Sequence, residues 1–451
     1  MTRPLAPRPS RLAPRSLLCV CVTAALGCSA RPSERGEPSA RALAAGSSTP
    51  GAASALPSTA GPQPAPAGSA APDVGPTCAT NGCLRWAVPL GDYPREVLAA
   101  FVPPGITLDN GYSLYGIEYA TDGALARATI AVPFGVPAPP GGWHVVANNH
   151  GTSGLDDPCA VAGTLPGAGL AGAFGAHGLI GVATDYPGLG TPGVHPYLVS
   201  EVEGHAALDA LRAVRTAARL GHIPLSGRYA MVGLSQGGHA TLAAAAQHLA
   251  YAPELDLRAF AVSGPASAWE EHWRAGAERD GPFAAVHAML FYAWADHYGY
   301  RGPPLWSAHA APLIDEAMQH SCVMPFGGRP ALATLLGSKM ADIFAPELLA
   351  AYRSGHWGLY APFAGYFAAN RLRPYRQSAP LLVYQGALDR IVPEWATREL
   401  VTELEAGGVE LRYEVVPDGH HIDVAFSELA APQRRSVQAL AWLRAALDAE
   451  R

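Results

Sequence analysis

Ten residues near the middle of the chain, Tyr229-Ala230-Met231-Val232-Gly233-Leu234-Ser235-Gln236-Gly237-Gly238, change character at one position. Before Ser235 the stretch is apolar and reads as a short strand; after it an alanine-rich run reads as a helix. A strand that passes into a helix through Gly-x-Ser-x-Gly is the turn on which a serine can stand exposed as a nucleophile. A free serine hydroxyl is a poor nucleophile, so position and partners must make it reactive. Gly233 and Gly237 leave the crowded turn without a Cβ on either side of Ser235. The following helix aims its first N–H groups, the positive end of its dipole, at the same point. The plainer reading is a strand–turn–helix corner whose serine only caps the helix.

The chain around this turn alternates. Thr107 to Tyr119 and Ala124 to Val132 read as two strands joined by Thr121-Asp122-Gly123. Trp143 to Ala147, Leu179 to Thr184, Ala259 to Val262, Leu381 to Tyr384 and Leu411 to Val416 read as further strands. Ser200 to Leu220, Pro393 to Ala406 and Gln433 to Ala449 read as helices, the first with alanines, leucines and valines along one face. Two opening strands followed by alternation predict an α/β fold with a mostly parallel, twisted sheet and helices on both faces. Functional residues on such a sheet gather at the carboxyl ends of its strands. From about 266 to 376 no strand is apparent, and the sequence turns helical and aromatic, as in Phe291, Tyr292, Trp294, Tyr298 and Tyr300. That insertion reads as a cap over the site, or more plainly as a packed helical subdomain, since aromatics at helical spacing are usually core.

The strand ends carry the partners a serine needs. Asp389 follows the Leu381 strand, where its carboxylate can orient a histidine; the plain alternative is a turn residue capping the helix at Pro393. His420 and His421 both follow the last strand. Placement four residues past Pro417 selects His421 as the base, and a glycine-histidine pair selects His420; His421 is preferred, the other being a loop histidine. Asp418 and Asp423 lie too close in the chain to serve as the acid. His150-Gly151-Thr152 follows the Trp143 strand, where a loop can supply an oxyanion N–H. Thr152, through its backbone, and Gln236, through the N–H just after Ser235, are the expected oxyanion pair, unless the first is only a glycine-rich turn.

Composition bounds the rest. The chain has 451 residues, 49% hydrophobic and 15% charged, with a formal net charge of −6. Its first 27 residues hold four arginines and no acid, so without them 27 basic face 37 acidic groups, a charge of −10. That argues against a nucleic-acid partner. The arginines up to Arg15, the apolar run Ser16 to Leu26 and the ending Ala25-Leu26-Gly27-Cys28 read as an export signal over residues 1–28. A small residue before Cys28 is similar to a lipoprotein cleavage box, which makes lipidation at Cys28 and free secretion the two expectations. Residues 29–77, mostly Ala, Pro, Ser and Gly, read as a disordered spacer before a folded region spanning 78–451. Of seven cysteines, 78, 83, 159 and 322 fall in the folded region. They allow three pairings; a local Cys78–Cys83 loop with a long-range Cys159–Cys322 staple is preferred. No metal-ligand spacing stands out.

Taken together, His150-Gly151-Thr152, Asp185-Tyr186-Pro187-Gly188-Leu189-Gly190, Gly233-Leu234-Ser235-Gln236-Gly237-Gly238, Gln385-Gly386 with Asp389 and Val392-Pro393, and a closing histidine resemble the α/β-hydrolase superfamily. Within it the chain resembles the secretory lipase family, from about 105 to 449. The resemblance implies hydrolysis of carboxylic esters through an acyl-enzyme on Ser235, a helical lid, and no metal or organic cofactor. It also fits Cys159 after the oxyanion loop being tied to Cys322 in the lid. His420-His421 departs from the usual glycine-histidine ending. A peptidase or acyltransferase of the same fold, and a catalytically dead surface-binding module, are the rival expectations.

Overall fold

The computed structural model describes residues 78–450, apart from 79, 101, 103–106, 268, 327 and 424–433. The export segment, Cys28 and the spacer lie outside the described residues. Nine strands are described: β1 (Leu84–Tyr93), β2 (Gly111–Thr121), β3 (Ala124–Phe134), β4 (Trp143–Asn149), β5 (Ile180–Thr184), β6 (Leu225–Leu234), β7 (Asp256–Ser263), β8 (Leu381–Gly386) and β9 (Leu411–Val416). They form one sheet in the order β1-β2-β3-β5-β4-β6-β7-β8-β9. The β1–β2, β2–β3 and β3–β5 pairs are antiparallel, and every pair from β5 to β9 is parallel.

The sequence explains this division. β5 (IGVAT) and β8 (LLVYQG) are buried along their whole length, as parallel strands covered on both faces must be. The expectation of two opening strands is corrected to three. β1 escaped notice because it carries Pro89 and Gly91 and buries only Leu84, a pattern tolerated at a sheet edge.

The described helices outside the cap are α1 (Arg95–Leu98), α2 (Leu165–Gly175), α3 (Ser200–Leu220) and α4 (Gln236–Tyr251), and, after the cap, α12 (Glu394–Ala406) and α13 (Arg434–Asp448). α3 buries Ala206, Ala207, Leu208, Ala210, Leu211 and Val214, and has Glu201 and Glu203 in its first turn and Arg219 in its last, in keeping with its dipole. α2 had no helical periodicity to announce it, because its sequence, LPGAGLAGAFG, is rich in glycine. Those glycines let it lie against the sheet: a Cβ on Gly172 would meet the Tyr112 ring, and one on Gly175 the Ala131 Cβ.

Between β7 and β8 the chain builds seven described helices, α5 (Glu270–Ala277), α6 (Ala284–His297), α7 (Ile314–His320), α8 (Leu332–Leu336), α9 (Met340–Ile343), α10 (Pro346–Ser354) and α11 (Ala361–Asn370). They share a core of their own. Phe291 packs on Phe363 at 4.6 Å and on Tyr352 at 5.0 Å between ring centroids, and Trp294 on Phe367 at 4.8 Å. Phe291 and Trp294 are therefore core residues, while Tyr292, Tyr298 and Tyr300 are only partly buried. Among the described residues two disulfides are present, Cys78–Cys83 and Cys159–Cys322. The second joins the segment after β4 to the cap, next to a backbone bond from Val323 N–H to the Ser153 carbonyl at 2.8 Å. No described helix is long and apolar enough to cross a membrane.

Candidate active site

Ser235 sits between β6 and α4 with φ 58° and ψ −120°, a left-handed backbone that a residue with a Cβ rarely adopts. Both of its backbone groups are held. Its N–H donates to the Ser263 carbonyl at 3.0 Å, and its carbonyl accepts from His239 and Ala266, each at 3.0 Å. The crowding is severe. A Cβ on Gly233 would run into the Gly237 carbonyl, and one on Gly237 into the Asn149 carbonyl. The strain at Ser235 is thus over-determined by its neighbours, as strained functional backbone generally is. Gly237→Ala is expected to cost at least about 3 kcal/mol in urea unfolding, because the obstruction is backbone and cannot rotate away.

Asp389 follows β8 and is buried. Its Oδ1 accepts from Ile391 N–H at 2.8 Å and Val392 N–H at 2.9 Å. Its Oδ2 accepts from Gln385 Nε2 at 3.2 Å and pairs with His421 Nδ1 at 2.6 Å. Gln385 is itself fixed by the Thr397 hydroxyl, which donates to its Oε1 at 2.7 Å. His421 is buried, whereas His420 is exposed. The backbone N–H of His420 donates to Asp423 Oδ2 at 2.8 Å and its Nδ1 faces the Leu388 carbonyl at 3.2 Å. Of the two adjacent histidines, His421 is the one brought to Asp389.

Asp389 and His421 adjoin the serine through one glycine. A Cβ on Gly264 would stand 3.2 Å from both Asp389 Oδ2 and His421 Nδ1, and Gly264 follows Ser263, whose carbonyl holds Ser235. On the other side a Cβ on Gly151 would lie 3.8 Å from the Ser235 Cβ, so the His150–Thr152 loop passes over the serine. Asp185 and Tyr186 brace that loop. His150 Nε2 is 3.2 Å from Asp185 Oδ1, and the Tyr186 hydroxyl donates to the His150 carbonyl at 3.0 Å. The same carboxylate accepts from Val161 and Ala162 N–H at 2.7 and 2.8 Å. The Thr152 hydroxyl is 3.0 Å from the Tyr197 hydroxyl. Gln236 opens α4, so its N–H has no partner within the helix. Its side chain is buried, with Nε2 donating to Glu203 Oε1 at 2.7 Å and lying 2.6 Å from His195 Nε2.

Several polar residues beneath the site were not marked by sequence. Glu203 looked like an ordinary first-turn acid of α3, and His195, His239 and His272 like three undistinguished histidines among the 16 of the chain; all four residues are buried. His272 reaches from α5 in the cap to the acid loop. Burial, with His421 adding to it, lowers its pKa to about 4 against the opposing pull of the Ile391 carbonyl and Asp389. Burial likewise lowers His195 to about 4 and His287 to about 3. These side chains stay neutral in the folded protein at pH values where they protonate in the unfolded chain, near 6.5. The unfolded state then binds more protons, so stability is full above about 6.5 and falls as pH drops toward 4. Thermal unfolding at pH 7, 6, 5 and 4 should show a steadily falling Tm, with a shallower fall in His287→Phe. Among the described residues no group of three or more His, Cys, Asp or Glu is arranged to hold a metal ion.

Compared with known proteins, residues 172–302 match the secretory lipase family and residues 340–450 the prolyl oligopeptidase family. No curated protein matches the chain by sequence. Among solved structures, a Legionella pneumophila protein classed as a hydrolase is 22% identical with a TM-score of 0.68, covering 82% of this chain and 99% of that one. The rice cell wall degrading esterase LipA from Xanthomonas oryzae is 22% identical with a TM-score of 0.63, covering 82% of this chain and 97% of its own. Candida antarctica lipase A in its closed state is 17% identical with a TM-score of 0.59, over 82% and 83% of the two chains. At such identities the likeness is one of fold.

Proposed function

From the α/β-hydrolase fold that this chain has, and its resemblance to secretory lipases over residues 172–302, we propose that it is an exported serine hydrolase cleaving carboxylic esters. The observation that carries this reading is the 2.6 Å bond between His421 Nδ1 and Asp389 Oδ2, set beside a serine held at φ 58° on a strand–helix turn.

In this reading Asp389 accepts the Nδ1–H of His421 and so leaves Nε2 as the base. His421 takes the Ser235 proton as Oγ attacks the ester carbonyl. The N–H groups of Gln236 and Thr152 receive the charge that develops on the carbonyl oxygen, in a site where fixed donors need no reorganisation. The intermediate collapses, the alcohol leaves with the proton from His421, and water, activated by the same imidazole, releases the acid. Asp389, with two backbone N–H donors and Gln385 fixing it, keeps the imidazole in the required tautomer and stabilises it once charged. Two disulfides suit an oxidising compartment, in line with the export signal and either secretion or a lipid anchor at Cys28.

The match of residues 340–450 to the prolyl oligopeptidase family favours a peptidase as the second reading, since that segment holds Asp389 and His421. A substrate panel separates the two. p-Nitrophenyl esters of graded acyl length should be hydrolysed, and peptide p-nitroanilides should not; the reverse pattern would replace the esterase reading. A fluorophosphonate should label Ser235 in the folded full-length chain, and no labelling there would leave a binding module as the surviving alternative. Activity confined to short acyl chains would argue for an esterase over a lipase.

A further inference from the structure

A second serine, histidine and acid lie in line beneath the candidate active site. Ser200 Oγ is 3.0 Å from His239 Nε2, and His239 Nδ1 is 2.7 Å from Glu203 Oε2. The spacing looks like that of a nucleophile set, but the hydrogen bonds run the other way. The single proton of Ser200 goes to the Asn370 carbonyl at 2.7 Å. A carbonyl cannot donate, so the Ser200 oxygen can meet His239 only as an acceptor. His239 therefore donates from Nε2 to Ser200 and is held at Nδ1 by its 2.7 Å hydrogen bond with Glu203 Oε2.

Both ends of this line lead somewhere. Asn370 is the last residue of α11 in the cap and is buried. Its Oδ1 accepts from Ser200 N–H at 3.1 Å, and its Nδ2 donates to the Tyr298 hydroxyl at 2.8 Å and the Tyr366 carbonyl at 2.9 Å. At the other end Glu203 Oε1 accepts from Leu198 N–H at 2.9 Å and from Gln236 Nε2 at 2.7 Å. The second proton of Gln236 Nε2 meets His195 Nε2 at 2.6 Å, while His195 Nδ1 donates to the Pro187 carbonyl at 3.2 Å. His195 is thus the neutral acceptor that its burial favours. The line of hydrogen bonds thus runs unbroken from Asn370 through Ser200, His239 and Glu203 to Gln236.

We propose that Glu203 and His239 are positioning residues that couple the seating of the cap, through Asn370 and Ser200, to the placement of Gln236 in the oxyanion site. The proposal rests on the hydrolase reading for its consequence, because the main-chain N–H of Gln236 matters only if charge develops over Ser235. The mechanical argument is local. Gln236 begins α4, and its side chain is tied to the framework below through Glu203 and His195. Loosening Asn370 frees Ser200, which removes one of the two partners that hold the His239 ring. The ring then no longer fixes Glu203, and Gln236 loses its anchor.

The test uses the full-length protein and the variants Glu203→Gln, His239→Gln and Asn370→Ala, with active sites counted by fluorophosphonate titration. Glu203→Gln and His239→Gln are expected to lower kcat by about 10- to 100-fold with KM within about twofold, the signature of a displaced transition-state donor and not of lost folding. Asn370→Ala, far from the reacting atoms, is expected to lower kcat by about tenfold. The double variant Glu203→Gln/Asn370→Ala should be no worse than the poorer single one. Multiplying effects, or a fall in Tm with kcat per active site unchanged, would overturn the coupling. Amide exchange gives an independent readout: Asn370→Ala should speed exchange in the peptide covering residues 233–240, while the peptide covering 165–175 stays at the wild-type rate. Unchanged exchange at 233–240 would overturn the proposal even if every variant were slow. If the wild-type protein neither hydrolyses esters nor reacts with fluorophosphonate, the hydrolase reading falls, and the exchange experiment still decides whether the cap and the turn are linked.

Discussion

Alanine at His421 is expected to lower kcat/KM on a p-nitrophenyl ester by about 10⁴-fold or more, and alanine at His420 by no more than about threefold. The two residues are adjacent, chemically identical and both carried by the loop after β9, so the contrast isolates position. His421 is buried against Asp389 with a 2.6 Å bond, while His420 is exposed and its Nδ1 faces the Leu388 carbonyl. Ser235→Ala should match His421→Ala, and the Ser235→Ala/His421→Ala double variant should be scarcely worse than either, since a nucleophile without its base is already idle. Asp389→Asn should fall by a similar factor, about 10⁴-fold, because an amide facing Nδ1 favours the wrong tautomer. Steady-state kinetics per folded molecule, with circular dichroism to confirm the fold, measures all five. Equal losses at His420 and His421 would mean that the loop, and not the imidazole, is what matters.

Removing the Cys159–Cys322 bond is expected to destabilise the protein by about 4 kcal/mol, the largest effect on stability foreseen here. The bond spans 163 residues, and a loop of that length loses much chain entropy in the unfolded state when closed. Both sulfurs are buried, and a Cβ on Gly154 would collide with the Cys159 side chain, so the staple is packed as well as covalent. It also lies a few residues beyond His150–Thr152, so the paired Cys159→Ala/Cys322→Ala variant should lose kcat along with Tm. Reductant should lower the Tm of the wild type by clearly more than that of the variant, which keeps Cys78–Cys83. Cys78–Cys83 closes a separation of only five residues, and its removal should cost no more than about 2 kcal/mol. A variant without the long staple that melts with the wild type would show that β4 and the cap hold together unaided.

Much of the fold was legible because the parallel strands are short apolar runs between polar turns. Ser200 to Leu220 was readable to the residue, since its apolar face repeats at helical spacing and its ends carry the expected charges. β1 and α2 were not. β1 keeps most of its side chains exposed, and α2 trades periodicity for glycines that let it touch the sheet. The residues of the candidate site fell where strand ends were expected, but between His420 and His421 the sequence offered only a preference for His421, from its place four residues past Pro417. Adjacent side chains point in different directions, and the direction is set by the loop's contacts with Leu388 and Asp423. The network of Glu203, His239 and Asn370 left no trace in the sequence. Its members are 167 residues apart in the chain at most, and each looks like an ordinary polar residue of a helix until burial is known.

The strand order has a kinetic consequence. β4 lies between β5 and β6, and the described residues of the site come from loops after β4, β6, β8 and β9. No two of the serine, acid and histidine can meet through local contacts, so the chain must close very long loops before any chemistry exists. Such high contact order slows folding. Under the proposed mechanism, turnover would also have to wait until β9, which leads to His421, has joined the edge of the sheet. A chain crossing a membrane unfolded would therefore carry its nucleophile in silence, and ester turnover would report the completion of the whole sheet, not the formation of any one part.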